Sequence, residues 1–246
     1  MELNQLEKKT GFLITKFIEQ LKIELAGTLK SALLYGSLAQ GDYSQKHSDI
    51  NILLVLNKLD GECLRRIAKI KQNAQFKKIA VMVLSKTDLE NSTDTFPIEF
   101  LDMQEGSLVL FGEDCLKGLT IDIRNLRHQC EGELKSKIMH MQQLYIRSSC
   151  KAGALTEFLI KNFPSFIIVF KNILRLKRIR EDKKDAILEK IAIEFTLDKG
   201  IFDELYQARI GKGRIADSRQ AFERFLFELR KLSEEVDAFV VKEIVL

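Results

Sequence analysis

The order of residues across positions 34–55 constrains this chain more than any other feature of its sequence. An apolar run, Ser31-Ala32-Leu33-Leu34-Tyr35, ends in Gly36-Ser37. A polar loop with Gly41 and Ser44 follows, and Ser48-Asp49 then opens the second apolar run, Ile50-Asn51-Ile52-Leu53-Leu54-Val55-Leu56. Short apolar runs bounded by glycine and polar residues predict two strands joined by a loop. The two-residue period of a strand puts Asp49 and Asn51 on one face and Ile50 and Ile52 on the other. At Gly36 the missing side chain lets a phosphate come close to the backbone, and the Ser37 hydroxyl and the amides beyond it can donate to phosphate oxygens. Asp49 and Asn51 on a shared face can hold one ion between them. Magnesium takes oxygen ligands, commonly one or two carboxylates together with substrate phosphates. Each half has an ordinary use, a tight turn for Gly36-Ser37 and a turn-capping acid for Asp49. Their order, with strands on both sides, favours a phosphate-and-metal site.

With these residues in view, the segment over residues 30–112 resembles the nucleotidyltransferases of the DNA polymerase β-like fold. Their signature is a hydrophobic-Gly-Ser turn, a loop, and then an Asp-hydrophobic-Asp or Asp-hydrophobic-Glu strand. Leu34-Tyr35-Gly36-Ser37 and Ser48-Asp49-Ile50-Asn51 match it. The aminoglycoside and antitoxin-type nucleotidyltransferases are similar in pairing such a domain with a helical bundle. The resemblance implies an α+β fold, a mixed sheet with helices followed by an all-α bundle. It also implies binding of a nucleoside triphosphate with magnesium or manganese, and transfer of a nucleoside monophosphate to a hydroxyl.

Gly36 and Ser37 take the nucleotide-binding role in that reading. Asp49, Asn51 and a third acid take the catalytic and metal-binding role. The form Ile98-Glu99-Phe100 after Pro97 makes Glu99 the expected third acid, with Asp102 on the opposite face of the same expected strand as the other candidate. Asp49 carries over directly. Asn51 stands where the family has an acid, keeping an oxygen ligand but losing a charge. That departure opens an alternative, a catalytically weakened nucleotide-binding regulator or antitoxin-like protein.

Elsewhere the hydrophobic period organises the chain. Leu6, Leu13, Phe17, Leu21 and Leu25 form one stripe and predict a helix from Leu3 to Ala26. A helix is expected over Gly61–Ala74, a buried strand over Ile79–Leu84 and a further strand over Ile98–Met103, starting directly after Pro97. Ser107–Gly112 is too short to type. From Ile121 the pattern is helical, with expected spans of 121–149, 154–179, 183–195, 199–210 and 217–242. Pro164 is expected to kink the second of these or mark its start. The change of period places a nucleotidyltransferase-like domain at 1–117 and a helical bundle domain at 118–246.

Composition narrows the function classes. Net charge is +4, and the surplus of Lys and Arg over Asp and Glu falls after Lys117. The cluster Lys171, Arg175, Lys177, Arg178, Arg180, Lys183 and Lys184 reads first as a solvated helical face and second as a phosphate contact. It lacks the interleaved aromatics of a nucleic-acid platform, so nucleic acid is not an expected partner. The polar, charged opening and the short apolar runs predict neither a signal peptide nor a membrane span. The four cysteines are scattered, and none pairs at zinc-ligand spacing with another or with a histidine, as reduced thiols in a cytoplasm would be. The acceptor and the oligomeric state leave no mark in the sequence.

Overall fold

The computed structural model describes residues 8–40 and 49–240. The chain divides into two compact units, Met1–Ile121 and Asp122–Leu246. The first is a four-stranded mixed sheet with helices and the second is all helical.

In the first unit α1 (Lys8–Glu24) buries Ile14, Phe17, Ile18 and Leu21, a three- and four-residue stripe, against the sheet. Strands β1 (Leu29–Tyr35) and β2 (Ile50–Leu56) pair antiparallel, with Tyr35 opposite Asn51 and Leu34 opposite Ile52. Nearly all of β2 is buried, which is why it reads as a continuous apolar run instead of an alternating one. Helix α3 (Gly61–Lys71) starts at Asp60, whose side chain accepts from the Cys63 amide at 3.0 Å. It buries Cys63, Ile67 and Ile70 and leads to β3 (Ile79–Ser85), which runs parallel to β2. A parallel pair requires the crossover to bring the chain back to the end where β2 began, so the last turn of α3 lies at the Asp49 end of the sheet. The strand order is β3-β2-β1, with a fourth strand, β4 (Leu108–Gly112), beside β1. The core between sheet and helices contains Phe17 packed edge-on against Phe76, with ring centroids 5.0 Å apart.

The strand expected over Ile98–Met103 is instead a helix. After the short α2 (Ser37–Gln40), the later helices of this unit are α4 (Lys86–Asn91), started by a reciprocal Ser85–Asp88 cap, and α5 (Pro97–Glu105). Proline is confined in strands by its missing donor, but the same property suits the first position of a helix, where that amide has no partner anyway. The buried residues of α5, Pro97, Ile98, Phe100, Leu101 and Met103, fit helical as well as strand spacing, and a short apolar run cannot be typed by period alone. The fourth strand is β4 (Leu108–Gly112), in the segment too short to type, and it pairs antiparallel with β1. Gly112 closes it with φ +76°, and a β-carbon there would stand 2.0 Å from the Lys30 carbonyl oxygen. Beside it the buried Ser31 hydroxyl donates to the Glu113 carbonyl at 2.5 Å.

The second unit contains α6 (Ile123–Arg147), α7 (Ala152–Leu176), α8 (Lys184–Glu194), α9 (Lys199–Arg209) and α10 (Ser218–Asp237). Its centre is aromatic: Phe166 lies edge-on to Phe225 at 4.9 Å, and Phe202 joins Phe170 at 5.4 Å and Phe225 at 6.1 Å. By length and hydropathy α7 is a candidate membrane span. Here it is the central helix of the bundle, with Leu155, Leu159, Phe163, Phe170 and Ile173 buried and with neighbours α6, α8, α9 and α10. Pro164 does not mark its start and lies inside it. Around the proline, side chains donate to helix carbonyls, Asn162 to Phe158 at 2.9 Å and Ser165 to Asn162 at 2.7 Å.

Candidate functional site

The site is built where β1 leaves the sheet and β2 enters it. β1 ends at Tyr35, and the chain turns at Gly36, where φ is +75°, a conformation glycine adopts without penalty. Ser37 follows at the first position of α2. That single turn is anchored by Leu38, which joins the core under the sheet. The connecting loop lies outside the described residues, and the chain is described again at the exposed Asp49. The Ile50 amide donates to the Lys78 carbonyl at 2.8 Å, which ties the start of β2 to the start of β3. Ile50 and Ile52 are buried against the helices, so Asn51 projects from the opposite face. It reaches Gly36: the Asn51 Nδ2 lies 2.8 Å from the position a Gly36 β-carbon would occupy. The space left by the missing side chain at Gly36 is therefore filled by the Asn51 amide and is not the opening for a phosphate that the turn alone suggests.

Gly36, Ser37 and Asn51 thus meet at one end of the sheet, with Asp49 two residues before Asn51 at the same strand edge. Glu99 is differently placed from the strand expectation. It stands in the first turn of α5, and Asp102, three residues on, lies on the same side of that helix instead of on an opposite strand face. The strand argument that favoured Glu99 over Asp102 no longer applies.

One charged residue of this end of the sheet is not signalled by the motif. Lys71, in the last turn of α3, donates from Nζ to the Phe76 carbonyl at 2.6 Å and to the Ile79 carbonyl, and Ile79 is the partner of Ile50 in the parallel pair. Burial pulls the Lys71 ammonium below the usual lysine range, while the charge of Asp49 acts the other way. A βαβ reading of β2-α3-β3 would have brought the end of α3 to this edge, but a lysine in a last helical turn is common enough to pass as a cap.

The basic cluster of the second unit is largely engaged within that unit. Lys171 pairs with Asp182 at 2.8 Å. Lys177 pairs with Glu194 at 3.1 Å and lies 4.5 Å from the centroid of the Phe195 ring. Arg175 is buried and donates to Asn172.

No family model and no curated protein matches the chain. Eleven solved chains do match in structure. One is the spectinomycin adenyltransferase AAD(9) from Enterococcus faecialis with ATP and spectinomycin. It superposes with a TM-score of 0.52 over 89% of this chain and 98% of that one, at 12% identity. The fold is nucleotidyltransferase-like. At that identity the likeness is one of fold.

Among the described residues, no three His, Cys, Asp or Glu side chains gather at metal-binding spacing. The β2 edge itself offers one carboxylate, Asp49, and one amide, Asn51. That donor set fits a magnesium ion that also takes phosphate oxygens and water, because such an ion needs only one or two protein oxygens.

Proposed function

We propose that this protein is a nucleotidyltransferase that binds a nucleoside triphosphate at Gly36-Ser37 and the β2 edge and transfers its nucleoside monophosphate to a hydroxyl acceptor. The observation that carries this reading is the seating of Asn51 against Gly36 with Asp49 on the same strand edge. It joins the two halves of the motif in space. AAD(9), which shares the fold, has been crystallised with ATP and spectinomycin, and ATP is accordingly the first donor to test.

In the reaction the acceptor oxygen attacks the α-phosphorus in line, the bond from that phosphorus to the bridging oxygen breaks, and pyrophosphate leaves. The hydroxyl proton leaves to a base as the new ester forms, and Glu99 and Asp102, on one side of α5, are the two carboxylates the sequence offers for that role. Ser37 and the amides after Gly36 donate to phosphate oxygens. Asp49 and Asn51 would hold magnesium or manganese, which when bound neutralises charge on the phosphates. The four cysteines are free thiols and fit a reducing compartment, so we place the protein in the cytoplasm.

Asn51 also favours a second reading, a regulator that binds nucleotide without turnover. The test is a thermal shift with each nucleoside triphosphate, with and without magnesium or manganese, followed by pyrophosphate release over a panel of hydroxyl acceptors. Metal-dependent stabilisation that disappears in Asp49→Ala, whose fold is checked by circular dichroism, is the expected result. Equal stabilisation in that variant overturns the site. Binding with no release for any acceptor supports the regulator.

A further inference from the structure

The side-chain amide of Asn51 has two chemically different ends, a donor and an acceptor, and the fold tells them apart. Its Nδ2 lies 2.8 Å from the position of a Gly36 β-carbon, with Cγ at 3.8 Å and Cβ at 3.9 Å, and Oδ1 is farther off than any of these. The donor end is therefore turned to the place where the chain, at φ +75°, swings from β1 into Ser37 and α2. Tyr35 and Ala80 are the partners of Asn51 on the two neighbouring strands, so the three side chains form one row across the sheet. Neither neighbour brings a carboxylate that would take the donor. Among the described residues the Asn51 side chain makes no hydrogen bond, which leaves both ends open to a ligand.

We propose that Asn51 serves the nucleotide with both ends of its amide: Nδ2 donates to a phosphate oxygen at the Gly36-Ser37 turn, and Oδ1 is the end left for the ion beside Asp49. The inference rests on the nucleotide site proposed above. A phosphate that approaches the turn meets this donor instead of bare backbone. A carboxylate in the same place would offer acceptors alone and would set a negative charge against the phosphates. The amide at residue 51 thus gives up charge on the ion's side and gains a donor on the phosphate's side, where a hydrogen bond to an ionised oxygen is stronger than one between neutral groups. The triphosphate has a contact with residue 51 before any ion completes the site.

The experiment is calorimetric titration of the full chain, as parent, Asn51→Ala and Asn51→Asp, with three probes. These are a non-hydrolysable ATP analogue under a metal chelator, the same analogue with manganese, and manganese alone. Asn51→Ala is expected to bind the metal-free analogue about 10-fold more weakly than the parent, the loss of one hydrogen bond to a charged group. Asn51→Asp is expected to bind it about 100-fold more weakly, because a like charge replaces the donor. On manganese alone Asn51→Asp moves the opposite way and binds about tenfold more tightly. Circular dichroism checks each fold, and should Asn51→Asp fail to fold, Asn51→Ala, which removes atoms and adds none, decides the question. Unchanged binding of the metal-free analogue in folded Asn51→Ala overturns the proposal. So does a parent that binds the analogue only when manganese is present. In both cases the nucleotide site stands and this inference alone falls. A parent that binds no analogue under either condition removes the site reading and takes this inference with it.

Discussion

Asn51 places its amide nitrogen 2.8 Å from the point where a β-carbon on Gly36 would stand, so the residue that follows β1 and the second residue of β2 occupy one space between them. Gly36 is needed here before any nucleotide arrives. Its φ of +75° disfavours an L side chain, and the Asn51 side chain blocks the position that side chain would take.

Gly36→Ala is therefore expected to destabilise the protein by roughly 2–4 kcal/mol, the sum of backbone strain and a displaced Asn51. In an Asn51→Ala background the steric part disappears and the strain stays. The two changes should then couple by about 1 kcal/mol in a double-mutant cycle measured by denaturant unfolding. Additive costs would show that the two side-chain positions do not meet.

Stability below neutral pH should depend on Glu181. One of its carboxylate oxygens accepts from Lys190 at 2.8 Å, and the other accepts from the amides of Asp182 at 3.0 Å and Lys183 at 3.2 Å. The Lys190 hydrogen bond, followed by the two amides, pulls its pKa from 4.5 down to about 2. A folded-state value below the unfolded one means that the contribution is complete above about pH 5 and is lost as pH falls toward 2. Glu181→Gln should melt below the parent at pH 7 by a small margin that closes as the pH is lowered to 2. A margin constant across that range would mean that the charge of Glu181 contributes nothing. The pair is exposed enough for salt to weaken it.

The parts legible in the sequence were those with a strong period or a motif of fixed order. The β1-turn-β2 unit follows from Gly36-Ser37 and Asp49-x-Asn51. The face that Asn51 presents follows from the two-residue period once Ile50 and Ile52 are taken as core, and the five later helices follow from long three- and four-residue stripes. The region between Ser85 and Gly112 was not legible for a physical reason. Its apolar runs are shorter than the length at which a strand and a helix differ in pattern, and Pro97 is compatible with the start of either. The true fourth strand, Leu108–Gly112, is four apolar residues and a glycine, a run too short for its period to tell strand from helix.

Asn51→Asp separates an enzyme with a reduced metal site from a site that does not use Asn51. The strand period puts the substituted carboxylate roughly 7 Å along the chain from Asp49 on the same face, close enough for the two to repel when no cation lies between them. The variant is expected to be somewhat less stable without metal, by about 1 kcal/mol, and to bind manganese about tenfold more tightly, because a carboxylate holds a divalent ion more strongly than an amide. Addition of manganese should then raise its melting temperature by more than it raises that of the parent, and the rate of pyrophosphate release should rise if the missing charge is what limits transfer. A rise in affinity with a fall in rate would identify an enzyme adapted to Asn51. Unchanged manganese affinity, in a variant whose circular dichroism is native, would show that residue 51 does not face the ion and would leave Asp49 as the only member of the β2 pair still assigned to it.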